Sequence, residues 1–278
     1  MLASLQVARA AAGGEVTAVS RTAAGDGLPA GARPVRADLA EPETFQPVLA
    51  GAEALFLHNG GAAAGLPTAR GLLDVAKRAG VRRVVLLSSI GVATRPESAS
   101  HGVAGRAVED AVRESGLDWT ILRPGGFASN AFAWAAPVRE SRTVAAPFGD
   151  VGIPVVDPAD IAAVAAVALR DAGAGSGSGG HAGQVYELTG PELVTPRQQA
   201  AAIGAALGEP VRFVELSREQ ARAAMLAFMP APVVDTTLDA LGTPTPPELR
   251  ISPDVERVAG RPAGTFAGWV ERHAAAFR

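Results

Sequence analysis

The first two-thirds of the sequence alternate short apolar runs with stretches of helical periodicity, an order that is typical of a parallel α/β sheet. The clearest run, RRVVLLS at residues 82–88, has the continuous β-branched and leucine composition of a strand buried on both faces. The predicted strands are residues 15–20, 34–39, 54–58, 82–88, 118–122, 184–188 and 211–216. The predicted helices are residues 2–12, 67–79, 102–115, 158–170, 196–207, 217–228 and 266–277.

Glycine and proline delimit these elements. Gly13-Gly14 ends the first predicted helix, Pro67 suits the first position of the second, and Gly80 follows its end. Arg123-Pro124 ends the strand 118–122. Residues 171–183 (DAGAGSGSGGHAG) have the composition of a flexible connector. No internal repeat is visible.

This order predicts an α/β protein with a doubly wound parallel Rossmann-type sheet and a small C-terminal α/β substrate lobe. We expect residues 1–150 to form the nucleotide-binding core, and residues 151–278 to complete that core and add the lobe. In such sheets, ligands bind at the carboxyl ends of the strands. Those ends are all polar or glycine-rich: Ser20-Arg21, Asp38, His58-Asn59-Gly60-Gly61, Ser88-Ser89 and Arg123-Pro124-Gly125-Gly126.

Composition excludes several classes of protein. Of the 278 residues 48% are hydrophobic and 19% charged, which is incompatible with an intrinsically disordered chain. A net charge of −3 offers no basic surface for nucleic acid or an anionic membrane. There is no cysteine, and the four histidines lack metal-ligand spacing, so we expect no disulfide and no metal site.

No apolar run approaches the ~20 residues of a membrane span, and residues 1–12 do not resemble a secretory signal. We therefore expect a cytoplasmic protein.

Several segments carry a family resemblance that extends over essentially the whole chain. They are EVTAVSR (15–21), RADL (36–39), VVLLSS (84–89), SGLDWTILRPGGF (115–127), VYELTGPELVT (185–195) and GRPAGTFAGWVERHAAAF (260–277). Together they resemble the NmrA-like, atypical branch of the short-chain dehydrogenase/reductase superfamily. The resemblance implies a Rossmann fold, NADP(H) as the cofactor and an oxidoreductase activity.

The beginning of the sequence departs from that family. Its members open with a strand and a G-x-x-G-x-x-G loop that holds the cofactor pyrophosphate. Here residues 2–13 match the helix that follows the loop, so roughly a dozen residues, including the central strand, are expected to be absent. The two explanations are a misassigned or truncated start and a genuine loss of the loop, which would weaken or abolish cofactor binding. The only literal G-x-G-x-x-G, from Gly175 to Gly180, lies in the connector and is read as chance.

The catalytic pair of many relatives is also missing. They use a tyrosine as proton donor and a lysine four residues later. The resemblance places His101 at the tyrosine position and Gly105 at the lysine position. The only tyrosine is Tyr186 and the only lysine is Lys77, so no such dyad exists in this chain. Because the branch contains reductases without the dyad as well as redox-sensing members, its absence does not distinguish enzyme from sensor.

Five residues are candidates for cofactor binding. The resemblance places Arg21 near the 2′-phosphate of NADP, which a guanidinium suits, and Asp38 near the adenine. Asn59, Gly60 and Ser88 leave the strand ends nearest the expected nicotinamide, where glycine permits close approach of a ligand. The alternative for Arg21 and Asp38 is an ordinary solvated side chain at a strand end.

Three residues are candidates for catalysis. His58 and His101 could act as an acid or base near neutral pH. Ser88 or Ser89 could polarise a substrate carbonyl. Ser89 and His101 could also act as a pair, in which Ser89 donates a hydrogen bond and His101 acts as the acid. The alternative for each histidine is a loop residue without a catalytic role.

Five further residues are candidates for the substrate pocket. Phe127, Asn130 and Trp134 follow the RPGG turn, and Met225 and Phe228 lie in the C-terminal lobe. The alternative is that these apolar side chains belong to the core. Arg123 is expected to anchor the end of its strand to a loop.

These observations favour an NADP(H)-linked oxidoreductase that acts on a small organic carbonyl, enone or quinone. The alternative is a cofactor-independent descendant, either a ligand-binding sensor or a non-redox acid–base enzyme such as a cyclase or dehydratase. The expected partner is a small, apolar molecule, with no nucleic acid and no membrane. An oligomer is compatible with the sequence.

Overall fold

The computed structural model describes residues 15–22, 27–28, 30–58, 66–170 and 180–278, with side chains from Thr68 onward in the helix that begins at Leu66. The predicted helix 2–12, the expected loss of the first strand, Asn59 and Gly60 therefore fall outside the described residues. The strands are β1 (Val16–Ser20), β2 (Ala32–Arg36), β3 (Ala54–His58), β4 (Arg83–Leu87), β5 (Asp118–Pro124), β6 (Thr143–Ala146), β7 (Gln184–Leu188) and β8 (Arg212–Glu215).

Helices connect these strands. They are α1 (Gln46–Leu49), α2 (Leu66–Arg78), α3 (Gly91–Thr94), α4 (Gly102–Glu114), α5 (Ala135–Ser141), α6 (Pro158–Arg170), α7 (Pro196–Leu207), α8 (Arg218–Met225), α9 (Ala231–Gly242), α10 (Asp254–Ala259) and α11 (Phe266–His273). Short 3₁₀ helices occupy Pro42–Phe45, Ala128–Trp134, Pro246–Leu249 and Ala274–Phe277.

All strand pairs are parallel, so the α/β fold class predicted from the sequence is confirmed. The central sheet has the order β3-β4-β5-β7, and β1 pairs with β2 in a second sheet. The register aligns His58 with Leu87, Leu87 with Leu122 and Pro124 with Leu188. The carboxyl ends of the four central strands therefore lie along one edge.

The central sheet is covered on both faces. Val84, Leu86 and Ile121 pack with α2 and α4 in one apolar cluster. Their neighbours in sequence, such as Val85 and Leu87, point to the opposite face and pack with α6 and α10. This alternation follows from the two-residue period of a strand. Because both faces are buried, the near-continuous apolar runs of the sequence are explained, and the Rossmann-like architecture is confirmed.

The C-terminal lobe is built around the pair β6 and β8, which are also parallel. On its outer side, α8 and α9 form a small apolar cluster of Ala221, Val234 and Leu238. Because β6 precedes residue 150 and β8 follows it, the lobe draws on both sides of that position. The division of the chain into residues 1–150 and 151–278 stays a prediction.

Several boundaries differ from the sequence predictions. The second strand is Ala32–Arg36, not residues 34–39, because the chain turns at Asp38, whose Oδ1 accepts the amide of Ala40 at 3.0 Å. Pro34 is tolerated inside β2, which pairs only with β1 among the described residues. The fifth strand continues through Pro124 instead of ending before Arg123. The predicted last helix becomes 3₁₀ after His273, and the helix predicted to Phe228 ends at Met225. The sequence analysis did not predict α5, β6, α9 or α10.

Candidate functional site at the carboxyl edge of the sheet

Backbone hydrogen bonds tie together the segments that leave β4 and β5. The amide of Ser88 donates to the carbonyl of Leu122 at 2.7 Å, and that of Ile90 donates to Pro124 at 3.0 Å. The amide of Gly125 donates to Leu188 at 2.9 Å. The pairing of the sheet thus continues beyond the strands, and it holds the polar residues after β4 on a rigid base.

Ser89 and His101 are brought together at Gly91, the first residue of α3. A Cβ on Gly91 would lie 2.7 Å from the Cβ of His101 and 3.4 Å from Ser89 Oγ. The amide of Gly91 donates to Ser89 Oγ at 3.1 Å. Only glycine leaves room for this contact. Ser89 and His101, which the sequence analysis paired, therefore both lie close to Gly91, and their pairing stays a prediction.

His101 stands at the N-cap of α4, with an exposed surface on the solvent side. Its backbone amide donates to Ser98 Oγ at 3.3 Å, and its Nδ1 lies 3.0 Å from Ser100 Oγ. Among the described residues no hydrogen bond to Nε2 occurs. Loss of water around the imidazole lowers the pKa of His101, and the carboxylate of Glu248 opposes that shift.

Helix α4 leaves no room for the lysine of the dyad. Gly105, at the position implied for that lysine, packs against α3, and a Cβ there would be 2.6 Å from Val92 Cγ2. Lys77 instead donates to the carbonyl of Ser115 at 3.2 Å, and Tyr186 is buried in β7, with its hydroxyl 2.8 Å from His181 Nδ1. The structure therefore agrees with the absence of a tyrosine–lysine pair.

A buried carboxylate, Glu109, joins the ends of β4 and β5 to α4. Ser88 Oγ donates to it at 2.6 Å, Arg123 donates through Nε at 2.9 Å and Nη2 at 2.6 Å, and Arg113 donates at 2.8 Å. Burial alone would raise the pKa of Glu109, but the bonds from Arg123 and Ser88 hold it below its ordinary value. Arg123 is thus anchored to a helix, where the sequence analysis expected a loop.

The sequence analysis also missed the ion pair between Arg95 and Glu248. Arg95 Nε and Nη2 donate to the Glu248 carboxylate at 2.7 and 2.9 Å, and Nη2 also donates to the carbonyl of Thr243 at 2.7 Å. The hydroxyl of Thr94 donates to the same carboxylate at 2.8 Å. The pair fastens the C-terminal lobe to the segment that precedes His101. Because 153 residues separate the partners, local sequence patterns gave no signal for it.

Two predicted cofactor residues, Arg21 and Asp38, and the predicted catalytic residue His58 lie at the ends of β1, β2 and β3. Arg21 follows β1, is exposed, and has no partner among the described residues. Asp38 follows β2, where its side chain and carbonyl organise the turn before Pro42–Phe45. His58, at the end of β3, is half-buried beside Leu57 and Thr68, and loss of water lowers its pKa.

The predicted substrate residues fall into two groups. Phe127 pairs with Val156 after the RPGG turn, Asn130 is exposed in the following 3₁₀ helix, and Trp134 packs partly into the lobe. Met225 packs against the α8–α9 cluster, whereas Phe228 is 73% exposed. The structure does not bring Met225 and Phe228 into contact with Ser89 or His101.

The donor set at this edge fits a phosphorylated dinucleotide. Arg21, exposed after β1 in the second sheet, could offer its guanidinium to a phosphate, and His58 and Ser88 follow neighbouring strands of the central sheet, at the edge where α/β sheets bind nucleotides. In the part of the chain that the structure describes, no group of three or more His, Asp and Glu side chains could hold a metal ion. No helix in that same part is long and apolar enough to cross a membrane.

Comparison with known proteins gives consistent matches. A family model described as NAD(P)H-binding matches residues 2–172. The (4-alkanoyl-5-oxo-2,5-dihydrofuran-3-yl)methyl phosphate reductase of Streptomyces griseus is 39% identical over 203 residues, which cover 73% of this chain and 70% of that protein. An NAD(P)H azoreductase of Xenophilus azovorans is 35% identical over 252 residues, 89% of this chain and 84% of that protein. The crystal structure of an NADPH-dependent quinone oxidoreductase from Escherichia coli matches with a TM-score of 0.74 and 26% identity, over 98% of this chain and 97% of that one.

Proposed function

The chain belongs to the NAD(P)H-binding family, in its NmrA-like branch of atypical short-chain dehydrogenases/reductases, and from this premise we propose that it reduces a quinone or a related conjugated carbonyl compound with NADPH. It is an NADP(H)-linked oxidoreductase of small organic molecules. The quinone class is supported by the Escherichia coli structure, which matches over nearly the whole of both chains.

The observation that carries the proposal is that Ser89 and His101 both lie against Gly91. Ser89 Oγ accepts the amide of Gly91, and within the described residues its own hydrogen has no acceptor. The hydroxyl is therefore available to donate to a substrate oxygen as negative charge develops there. His101 then supplies the proton that completes the reduction. A quinone that gains one hydride and one proton becomes a hydroquinone.

NADPH would supply the hydride when bound. The side chains of this protein contribute binding and proton transfer. Arg21 would hold the 2′-phosphate, which distinguishes NADPH from NADH. Because loss of water around the ring lowers the pKa of His101, its imidazolium is a stronger acid than that of a fully hydrated histidine. The rate should therefore increase as the pH falls toward that pKa.

The pocket for the substrate would lie between Ser89 and the 3₁₀ helix that carries Phe127 and Trp134. Both rings are partly buried, and they would offer an apolar wall that suits a flat aromatic acceptor. We also propose that the protein acts in the cytoplasm.

The test is steady-state kinetics with NADPH and a panel that contains a naphthoquinone, an azo dye and an α,β-unsaturated lactone. We expect the naphthoquinone to be reduced, with kcat lowered about 100-fold by His101→Ala and about 10–100-fold by Ser89→Ala. Ser141→Ala is the matched control, because Ser141 is exposed and its hydroxyl donates to the carbonyl of Pro137 in its own helix. Background rates with every acceptor would refute the proposal, and tight NADPH binding without turnover would favour the ligand-binding alternative.

A further inference from the structure

Glu109 fixes the direction of the hydrogen on Ser88. An ionised carboxylate can only accept, so the hydrogen in the 2.6 Å contact must be that of the Ser88 hydroxyl. Three donations from Arg123 and Arg113 to the same carboxylate hold it in the charged form. The oxygen of Ser88 therefore presents only lone pairs to anything else that approaches it.

Ser89 has the opposite polarity. Its oxygen already accepts the amide of Gly91, and its hydrogen is free among the described residues. Two adjacent and half-buried serines at the end of β4 thus differ in what they offer to a ligand. Ser88 offers an acceptor, whereas Ser89 offers a donor.

We propose that Glu109 is a positioning residue that commits Ser88 to accept a hydrogen bond from a hydroxyl or amide group of the bound dinucleotide, leaving Ser89 alone to donate to the substrate. This inference rests on the proposed function, because it assumes that the edge of the sheet binds NADPH. It assigns neighbouring serines to different ligands, Ser88 to the cofactor and Ser89 to the acceptor molecule.

The affinity of the protein for NADPH, measured by fluorescence titration without any acceptor, tests the assignment. We expect Ser88→Ala to raise the Kd about fivefold, the effect of one neutral hydrogen bond. Ser88→Thr keeps the hydroxyl and should stay within about twofold of the wild type. Ser89→Ala should leave the Kd for NADPH within about twofold of the wild type but lower kcat. Ser141→Ala is the control for both measurements.

A double-mutant cycle separates positioning from a structural role. In Glu109→Gln one carboxylate oxygen is replaced by an NH₂ group that can donate, so Ser88 no longer has to direct its hydrogen to residue 109. We expect this variant to raise the Kd about as much as Ser88→Ala, and the double variant to raise it no further. If Glu109 had only a structural role, Glu109→Gln would lower the melting temperature. Its effect on the Kd would then be independent of the effect of Ser88→Ala, and the double variant would show the product of the two increases.

Each result decides the proposal. An unchanged Kd in Ser88→Ala, or independent effects of the two substitutions, would overturn it. If Glu109→Gln does not fold, the Ala and Thr variants of Ser88 decide it alone. A wild-type protein that binds NADPH but reduces no acceptor would refute the proposed function only, while the Kd comparison still decides the role of Ser88. A wild-type protein that does not bind NADPH would refute both.

Discussion

The ion pair between Arg95 and Glu248 is expected to affect both the stability of the fold and the pKa of His101. The substitution Glu248→Gln tests both effects. Glu248 is 11% exposed and Arg95 is 18% exposed. The carboxylate accepts from Arg95, from the hydroxyl of Thr94 and from the amide of Thr245, the last at 2.7 Å. Burial would raise the pKa of Glu248, but these bonds keep it below its ordinary value. The wild-type residue is therefore charged in the folded protein.

The magnitude follows from the loss of charge. A glutamine at this position accepts hydrogen bonds through one oxygen only and places an NH₂ group against the remaining donors. The Arg95 guanidinium then lacks the counter-charge of Glu248. Breaking a buried pair in this way costs about 3–5 kcal/mol. Because both side chains keep some contact with water, we expect about 2–4 kcal/mol here. For a chain of this size each kcal/mol lowers the melting temperature by about 2–4 °C, which gives a decrease of about 4–16 °C.

Two measurements on the same variant test the prediction. Thermal unfolding followed by circular dichroism should show the decrease, and Glu43→Gln, which breaks the exposed pair with Arg78, should shift the midpoint by less than about 4 °C. Glu248 also opposes the lowering of the His101 pKa, so in this variant the alkaline limb of the pH–rate profile, where His101 loses its proton, should move to lower pH. A midpoint no lower than that of Glu43→Gln, together with an unmoved pH profile, would refute the reasoning.

Further expectations follow from other parts of the site. Gly91→Ala should lower kcat at least about tenfold with little change in NADPH affinity, because its Cβ would displace His101; a normal kcat would contradict the contact described above. Arg21→Gln should weaken NADPH binding about 10–100-fold and leave NADH binding unaltered, as measured by titration of both cofactors. Because burial lowers the pKa of His58, the unfolded chain binds more protons below about pH 6.5, so stability falls as the pH drops through that value. His58→Asn should therefore reduce the difference in melting temperature between about pH 7.5 and about pH 5.5, and an unaltered difference would exclude His58 as a contributor.

The central strands were predictable because their signal is local. Residues 82–88 and 54–58 are apolar runs between helical stretches, and the observed strands differ from the predictions by one residue at most. The parallel arrangement followed from that alternation, and the helix that starts at Gly102 followed from the glycine and from apolar periodicity. Each of these features depends on residues within one element or its immediate neighbours.

The C-terminal lobe was harder to predict because long-range pairing decides its structure. The four residues of β6 become a strand only by pairing with β8, about seventy positions later. The mixed polar and apolar sequence of α9 is stabilised by packing of Val234 and Leu238 against α8, and that contact is not visible in a local window. Likewise, no local pattern indicates that Glu248 meets Arg95, or that Thr236 Oγ1 accepts the amide of Ser100 at 3.2 Å.

The cluster of Ser88, Glu109 and Arg123 was more predictable than the C-terminal lobe but less so than the central strands. The two-residue period of the strands and the helical period of α4 place these three residues on surfaces that face each other. Val84 and Leu86 point toward α4, so the two-residue period of a strand directs Ser88 the same way. Ile121 points toward α4 as well, and Arg123 follows two residues later. On the helix, Val108, Ala111 and Val112 are buried against the sheet, and Glu109 lies within that buried face. A carboxylate on the buried face of the helix lies opposite a serine and an arginine that extend two apolar strands. Pairing with them keeps the carboxylate charged without leaving a buried charge unpaired. The polar cluster is therefore the continuation of the apolar core to the edge of the sheet, where ligand binding requires hydrogen bonds in place of packing.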